Sequence, residues 1–172
     1  ATKVCQEMIG QIYSRSYGMD IVMTRSFNYT GPGQSPTFVV SEICRQIAAA
    51  EQPGAPAELL IGNTDAKRDF TDVRDVVRAY RLLAEKGVSG RVYNVGRGSA
   101  AGIGQILETA LSMSQVEIAV IRDPKRLRAS DIPIIEPDVS LIFADTGWSA
   151  QISIEETVRD TLEWWREKLR RD

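Results

Sequence analysis

Hydrophobic positions along the chain switch repeatedly between helical and extended spacing. Val4, Cys5, Met8, Ile9, Ile12 and Tyr13 recur every three or four residues and predict a helix to about Ser16, ended by Gly18 as a left-handed cap. Ile21-Val22-Met23-Thr24 reads as a buried strand, and Asn28 to Pro36 as a Gly- and Pro-rich loop. Phe38 to Ala50 alternates as an amphipathic helix, Gln52 to Pro56 is a loop, and Leu59-Leu60-Ile61 is a short buried strand. Beyond a polar turn, Val73, Val76, Val77, Tyr80 and Leu83 return to helical spacing, with Arg74, Arg78, Arg81 and Glu85 on the opposite face. Asp72 is placed to cap that helix, and Asp75 imitates a capping box. Val88-Ser89-Gly90 turns into a strand from Arg91 to Val95; Ile103 to Met113 is helical and Glu117 to Ile121 extended. Residues 122–137 are polar and Pro-bearing and predict a long functional loop. Ser140 to Asp145 predicts a short helix ending near Gly147-Trp148, and Ile154 to Leu169 a last one with Val158, Leu162 and Trp165 on one face.

This alternation predicts an α/β fold. Only three or four strands are evident, few for a complete doubly wound sheet, and the first helix starts at Thr2 with no cap before it. Both features predict a piece of a larger unit.

Composition narrows the chemistry. The 172 residues are 43% hydrophobic and 26% charged, as in ordinary globular proteins, and the net charge of −2 gives no reason to expect nucleic-acid binding. No apolar run approaches a membrane span. The chain has no histidine, which excludes Ser-His and Cys-His nucleophile pairs and the usual zinc sites. No metal is expected, and acid–base work falls to carboxylates, Lys, Tyr or a bound cofactor. Cys5 and Cys44 are expected as buried free thiols in a reducing cytoplasm.

Three motifs carry candidate chemistry. Gly62 to Asp75 joins a buried strand, a basic turn and a capped helix, an arrangement that suits a phosphate-bearing ligand; Arg68 supplies the fork-shaped donor for it. Arg126 and Arg128, with Asp131 beyond, repeat the theme, Arg for phosphate and Asp for ribose hydroxyls; a surface salt-bridge group is the plainer alternative. Gly96-Arg97-Gly98-Ser99-Ala100-Ala101 fits a dinucleotide-loop pattern, with Glu117 near the spacing of the ribose acid. Because Glu117 opens a strand rather than ending one, a plain strand-to-helix turn is favoured. Gly31-Pro32-Gly33-Gln34 is favoured as a tight turn over an anion cradle, and Trp148, Trp164 and Trp165 as core or interface residues.

Several motifs then fall in a familiar order: Ala1-Thr2-Lys3 with Glu7; Arg25-Ser26-Phe27-Asn28 and Gly31-Pro32-Gly33-Gln34; Phe38-Val39-Val40; Gly62-Asn63 through Lys67-Arg68-Asp69-Phe70; Arg128-Ala129-Ser130-Asp131; and Thr146-Gly147-Trp148. Over essentially its whole length the chain resembles the C-terminal part of the extended short-chain dehydrogenase/reductases that act on nucleotide sugars. The Asn-x-Asp-Ala-Lys-Arg-Asp form is similar to the GDP-mannose branch, with its 4-dehydro-6-deoxy-mannose reductases and 4,6-dehydratases. Phe70-Thr71-Asp72-Val73 and Gly31-Pro32-Gly33-Gln34 lie closer to the reductases.

The resemblance implies the C-terminal portion of a Rossmann-type fold with its small α/β substrate domain. Residues 1–32 and 72–98 would belong to the dinucleotide-binding domain, and 33–71 and 99–172 to the substrate-binding domain. It implies hydride transfer between NADP (or NAD) and C4 of a GDP-linked 6-deoxy-hexose. Lys3 would hold the nicotinamide ribose and lower the pKa of a catalytic tyrosine, and Phe27 would lie near the nicotinamide. Asn28 would meet the sugar diphosphate, and Phe38 and Val39 would line the base site. Arg68 and Arg128 would neutralise the diphosphate, and Asp131 would accept ribose hydroxyls. The tyrosine that the family places four residues before Lys3, and its Gly-rich cofactor loop, have no counterpart in these 172 residues. The N-terminal Rossmann half, which would bind most of the cofactor, is therefore expected to be absent, and the chain alone to be inactive. Ala129 replaces the family's common proline. A homodimer through the helix at Lys3 is implied for the intact enzyme. A non-catalytic nucleotide-sugar-binding module is the alternative.

Overall fold

The computed structural model describes residues 1–126 and 132–171. Its elements in chain order are α1 (Thr2–Tyr17), β1 (Met23–Ser26), β2 (Asn28–Thr30), α2 (Val39–Ala50), β3 (Glu58–Ile61), β4 (Lys67–Asp72) and α3 (Val73–Lys86). They continue with β5 (Val92–Val95), β6 (Ala100–Gly102), α4 (Ile103–Ser112), β7 (Ala119–Arg122), β8 (Ile134–Ile135), α5 (Ser140–Thr146) and α6 (Ile154–Arg171). Three strand groups form: β1 with β5 in parallel, β3 with β7 in parallel, and β4 between parallel β2 and antiparallel β6 with β8 also paired to it.

Two hydrophobic cores result. In the first, Ile43 and Ile47 of α2, Leu59 of β3, Phe70 of β4, Ile106 of α4 and Leu162 of α6 pack together. In the second, Val76, Ala79 and Leu83 of α3 meet Tyr93 and Val95 of β5, Ile142 of α5 and Trp148. Trp148 and Trp165 are core residues, as expected. Trp148 Nε1–H donates to the Asp75 carbonyl at 3.1 Å, and Trp165 Nε1–H to Ser41 Oγ at 3.0 Å, so neither indole is buried without a partner.

Six expectations are corrected. Lys67–Asp72, read as a turn, is the strand β4, and Asn28–Thr30, read as loop, is its parallel partner β2. Their composition hid them: Asp69, Thr71 and Asp72 are buried polar residues on a strand, supported by hydrogen bonds instead of apolar packing. β1 begins at Met23, because the Ile21 N–H and C=O are used by Ser89 and Gly90 of the neighbouring turn. On α3, Val77 and Tyr80 are exposed, since the inward stripe runs through Asp75, Val76, Ala79 and Leu83. Asp75 is no capping-box acid: its carboxylate accepts the N–H groups of Gln151 and Ile152, both at 2.8 Å, and pairs with Arg78 at 2.6 Å. Asp72 does cap α3, accepting the Arg74 N–H at 2.8 Å. Last, Cys5 is exposed while Cys44 is buried, because no residue of α1 is buried. Among the described residues, no helix is long and apolar enough to cross a membrane.

Candidate functional site

A cavity of about 860 Å³ is a cleft between one face of α2 and the ends of β3 and β4. Val39, Glu42, Ile43 and Gln46 recur at helical spacing along its α2 wall. Gln46 also closes the free edge of β3: its Nε2 donates to Leu60 O at 3.0 Å, and its Oε1 accepts the Leu60 N–H at 2.8 Å. That side chain replaces a missing strand and holds α2 at a fixed distance. The floor comes from the other sheet. Arg68 and Phe70, two residues apart, share one face of β4, and Asn28 lies opposite Phe70 in register. Leu60, Ile61, Gly62, Asn63 and Ile103 also line it.

Gly62 is needed by close approach: a Cβ there would lie 2.5 Å from the Arg126 carbonyl oxygen. This contact brings Arg126 onto the cleft, where its Nη1 meets Glu42 Oε1 at 3.2 Å and its Nε meets Asp123 at 3.5 Å. Arg45 grips the same Glu42 through Nε and Nη2 at 2.8 and 3.0 Å. Arg68 Nη1 donates to the Lys67 carbonyl at 2.8 Å. Three guanidinium groups thus line a cavity with an apolar wall, a combination that suits an anionic ligand carrying a flat or apolar part.

The Gly96–Ala101 segment is a different structure. It joins β5 to β6, with α4 starting only at Ile103, so it is a strand-to-strand turn and not the strand-to-helix turn expected. Its N–H groups are already engaged. Asp69, 1% exposed, accepts from Arg97 at 2.9 Å, Gly98 at 2.7 Å and Ser99 at 3.2 Å, and from Thr71 Oγ1 at 3.0 Å. The nest that could hold a cofactor phosphate holds the chain's own carboxylate. Gly98 makes this possible with φ of 80°, and a Cβ on Gly96 would lie 3.0 Å from Asp69 Oδ1. Gly31 to Gln34 is the tight turn expected, closed by the Gln34 N–H to Gly31 O at 3.2 Å.

Asn28, Val39 and Arg68 are brought together in the cleft. Phe38, the α2 N-cap residue between the lining residues Thr37 and Val39, is 56% exposed and is not among the lining residues. Lys3 lies on α1, its Nζ 3.3 Å from Gln6 Oε1, and Phe27 directly follows β1 with its N–H on Val95 O. Both stand apart from the cleft lining. Arg128 and Asp131 lie outside the described residues. Sequence reasoning missed Glu42, Arg45 and Gln46; their shared helical stripe with Val39 was visible, but what faced it was not.

A family model described as GDP-mannose 4,6 dehydratase matches residues 1–161. The chain belongs to this family. Members of the GDP-mannose 4,6 dehydratase family and their neighbours share its fold closely. The chain is 32% identical over 171 residues to the GDP-6-deoxy-D-mannose reductase of Pseudomonas aeruginosa, covering 99% of this chain and 56% of that protein. The solved structure of RMD from Pseudomonas aeruginosa complexed with NADPH superposes with a TM-score of 0.88 at 31% identity, over 94% of this chain and 54% of that one. The UDP-glucose 4-epimerase of Thermotoga maritima with UDP-glucose follows at 0.82 and 26%, over 96% and 52%. The chain therefore spans about half the length of these three relatives. Its architecture is that of the NAD(P)-binding extended short-chain dehydrogenase fold, in a family of nucleotide-sugar reductases and dehydratases.

Proposed function

We propose that this chain supplies the nucleotide-sugar-binding portion of an NADP-dependent enzyme acting at C4 of a GDP-linked 6-deoxy-hexose, as a reductase or a 4,6-dehydratase. The observation that carries this reading is the convergence of Arg68, Asn28 and the Val39–Ile43 wall on one cleft. Arg68 brings a guanidinium to the cleft lining, the side chain whose charge-assisted hydrogen bonds would favour a diphosphate. Asn28 offers the amide for the sugar hydroxyls or the second phosphate, and the α2 wall takes the base. Arg128 and Asp131 would add a second cation and a ribose-hydroxyl acceptor. Residues 33–71 and 99–172 would form the substrate domain, and 1–32 and 72–98 would belong to the cofactor domain.

On the cofactor side the chain offers Lys3 and Phe27. Phe27 follows the C-terminal end of β1 in the parallel β1–β5 pair, the end at which open α/β sheets bind their ligands. The exposed Lys3 ammonium suits a ribose hydroxyl, and its charge would favour the ionised form of a neighbouring phenol. A nicotinamide cofactor bound there would supply the hydride. The apolar exposed face of α1 supports pairing of two copies.

Isothermal titration of the chain with GDP-mannose tests this reading. We expect saturable binding, weakened about tenfold or more by Arg68→Ala, the scale of one charge-assisted contact. No binding, or an Arg68→Ala variant that binds as well as the parent, would sink it.

A further inference from the structure

Glu42 is the one acidic residue among the described residues lining the cleft. A carboxylate there works against any ligand that brings phosphates, so its partners decide what it does. Arg45, three residues along α2, holds one oxygen through Nε at 2.8 Å and the other through Nη2 at 3.0 Å, and this fork already balances the Glu42 charge. Arg126 is an additional partner. It comes from the turn after β7, where its carbonyl rests on Gly62, and its Nη1 reaches Glu42 Oε1 at 3.2 Å. The two residues are 84 positions apart, so the contact joins two separate parts of the cleft lining.

Little is lost when this contact parts. Glu42 keeps Arg45, and Arg126 keeps Asp123, whose Oδ2 lies 3.5 Å from its Nε, so neither charge is left buried and alone. The Arg126 side chain is 38% exposed, and an ion pair that open contributes little. A diphosphate offers the same guanidinium a higher charge and more acceptor oxygens. We infer that the Glu42–Arg126 pair is an autoinhibitory latch: the carboxylate occupies the guanidinium until a ligand's phosphates take it. This rests on the nucleotide-sugar reading of the cleft. Binding exchanges one acceptor for another at Arg126 Nη1 and moves no proton. Its cost is the broken contact and a carboxylate left facing the phosphates; its return is a second cation beside Arg68. Glu42 therefore weakens binding, the reverse of what a ligand contact does. The benefit is selectivity, because a neutral ligand has nothing to offer Arg126 and leaves the latch closed.

The test is isothermal titration with GDP-mannose of the parent chain, Glu42→Gln, Arg126→Ala and the double variant. We expect Glu42→Gln to bind about three- to fivefold tighter than the parent, the scale of one exposed ion pair. That gain should fall by about half or more on the Arg126→Ala background. An Arg45 freed by the substitution, or simple relief of repulsion, would raise affinity equally on both backgrounds. Side-chain NMR of the arginines in the unmodified chain keeps the test open if a variant does not fold: the ligand should shift the Arg126 Nε–H signal and leave that of Arg45 in place. A folded Glu42→Gln variant that binds no tighter, a gain equal on both backgrounds, or an Arg126 signal unmoved at saturation overturns the latch. If the parent still binds and Arg68→Ala still weakens it, the nucleotide cleft stands without the latch. No binding by the parent or any variant overturns both readings.

Discussion

Asp69 and Arg68 are neighbours in sequence with opposite tasks. Arg68 faces the cleft, whereas the Asp69 carboxylate is buried and accepts four hydrogen bonds, three of which tie β4 to the β5–β6 turn. Asp69→Asn keeps the shape but turns an amide NH₂ toward N–H donors, leaving at least one buried donor unpaired. A loss of about 3 kcal/mol is expected for breaking such a buried charged network, read as a lower midpoint in urea unfolding. A variant as stable as the parent would show that the turn does not depend on this anion. The two cysteines make a second residue-level contrast. Burial pushes the Cys44 thiol up to about 12, against a weaker opposing pull from Arg166, and its Sγ sits against the Val158 carbonyl. Cys5 is exposed. A thiol reagent near pH 8 is therefore expected to label one cysteine in native protein and two after denaturation, because the thiolate is the reacting form. Two fast sites in native protein would contradict the burial of α2.

At the scale of elements, α2 and α6 form the main seam, and one ion pair fastens its end. Arg166, 6% exposed, donates to Glu51 beyond α2 at 2.6 and 2.7 Å, to Glu163 at 2.6 Å, and to the Met113 carbonyl after α4 at 2.7 Å. Burial alone would raise the Glu51 carboxyl, but the hydrogen bonds from Arg166 and the Gln115 N–H outweigh it and hold it below its usual value of 4.5. A carboxyl depressed in the folded state stabilises fully above that ordinary value, and the contribution is lost as pH falls through the lowered one. Asp72 acts in the same direction: burial opposes ionisation, while Arg74 and Thr157 more than compensate. Thermal stability is thus expected to hold from neutral pH to about 5 and to fall below 4, with Glu51→Gln flattening part of that fall. If Glu51→Gln melts with the same acid profile as the parent, this pair does not set it. These elements also mark what could be read in sequence. The α2 and α6 stripes were legible because apolar residues sit on one face, and so were Asp72 as cap and Gly18 as terminator. β2 and β4 were not, because their inward positions are Asp and Thr, whose partners come from segments up to 85 residues away. Part of the cleft was legible: Arg68, Asn28 and Val39 stand in recognisable motifs and Arg126 was a candidate phosphate group, whereas its meeting with Glu42 across the Gly62 contact was not.

For the molecule as a whole, the unequal treatment of its two ends is informative. α6 is sealed into the first core by Val158, Leu162 and Trp165, while α1 buries no residue at all. α1 is attached by the Glu7–Arg25 fork, with both bonds at 2.7 Å, and by Gly10, where a Cβ would lie 3.0 Å from the Met23 sulfur. That contact fixes one side of α1 against β1 and turns Val4, Met8, Ile12 and Tyr13 outward, between 47% and 63% exposed. A sixteen-residue helix has little stability of its own, and an apolar stripe of this length on its open side is a surface for association. Two copies related by a two-fold axis would lay the stripe on itself and bury it without any new complementary feature. Sedimentation velocity across a hundredfold range of about 1–100 μM, where such interfaces dissociate, should show a monomer giving way to a dimer. Met8→Glu with Ile12→Glu should leave monomer throughout, with Trp165 fluorescence unchanged because the first core lies elsewhere. A chain that stays monomeric at the highest concentration would refute self-pairing through α1. A dimer that survives both substitutions would place the interface away from the α1 stripe.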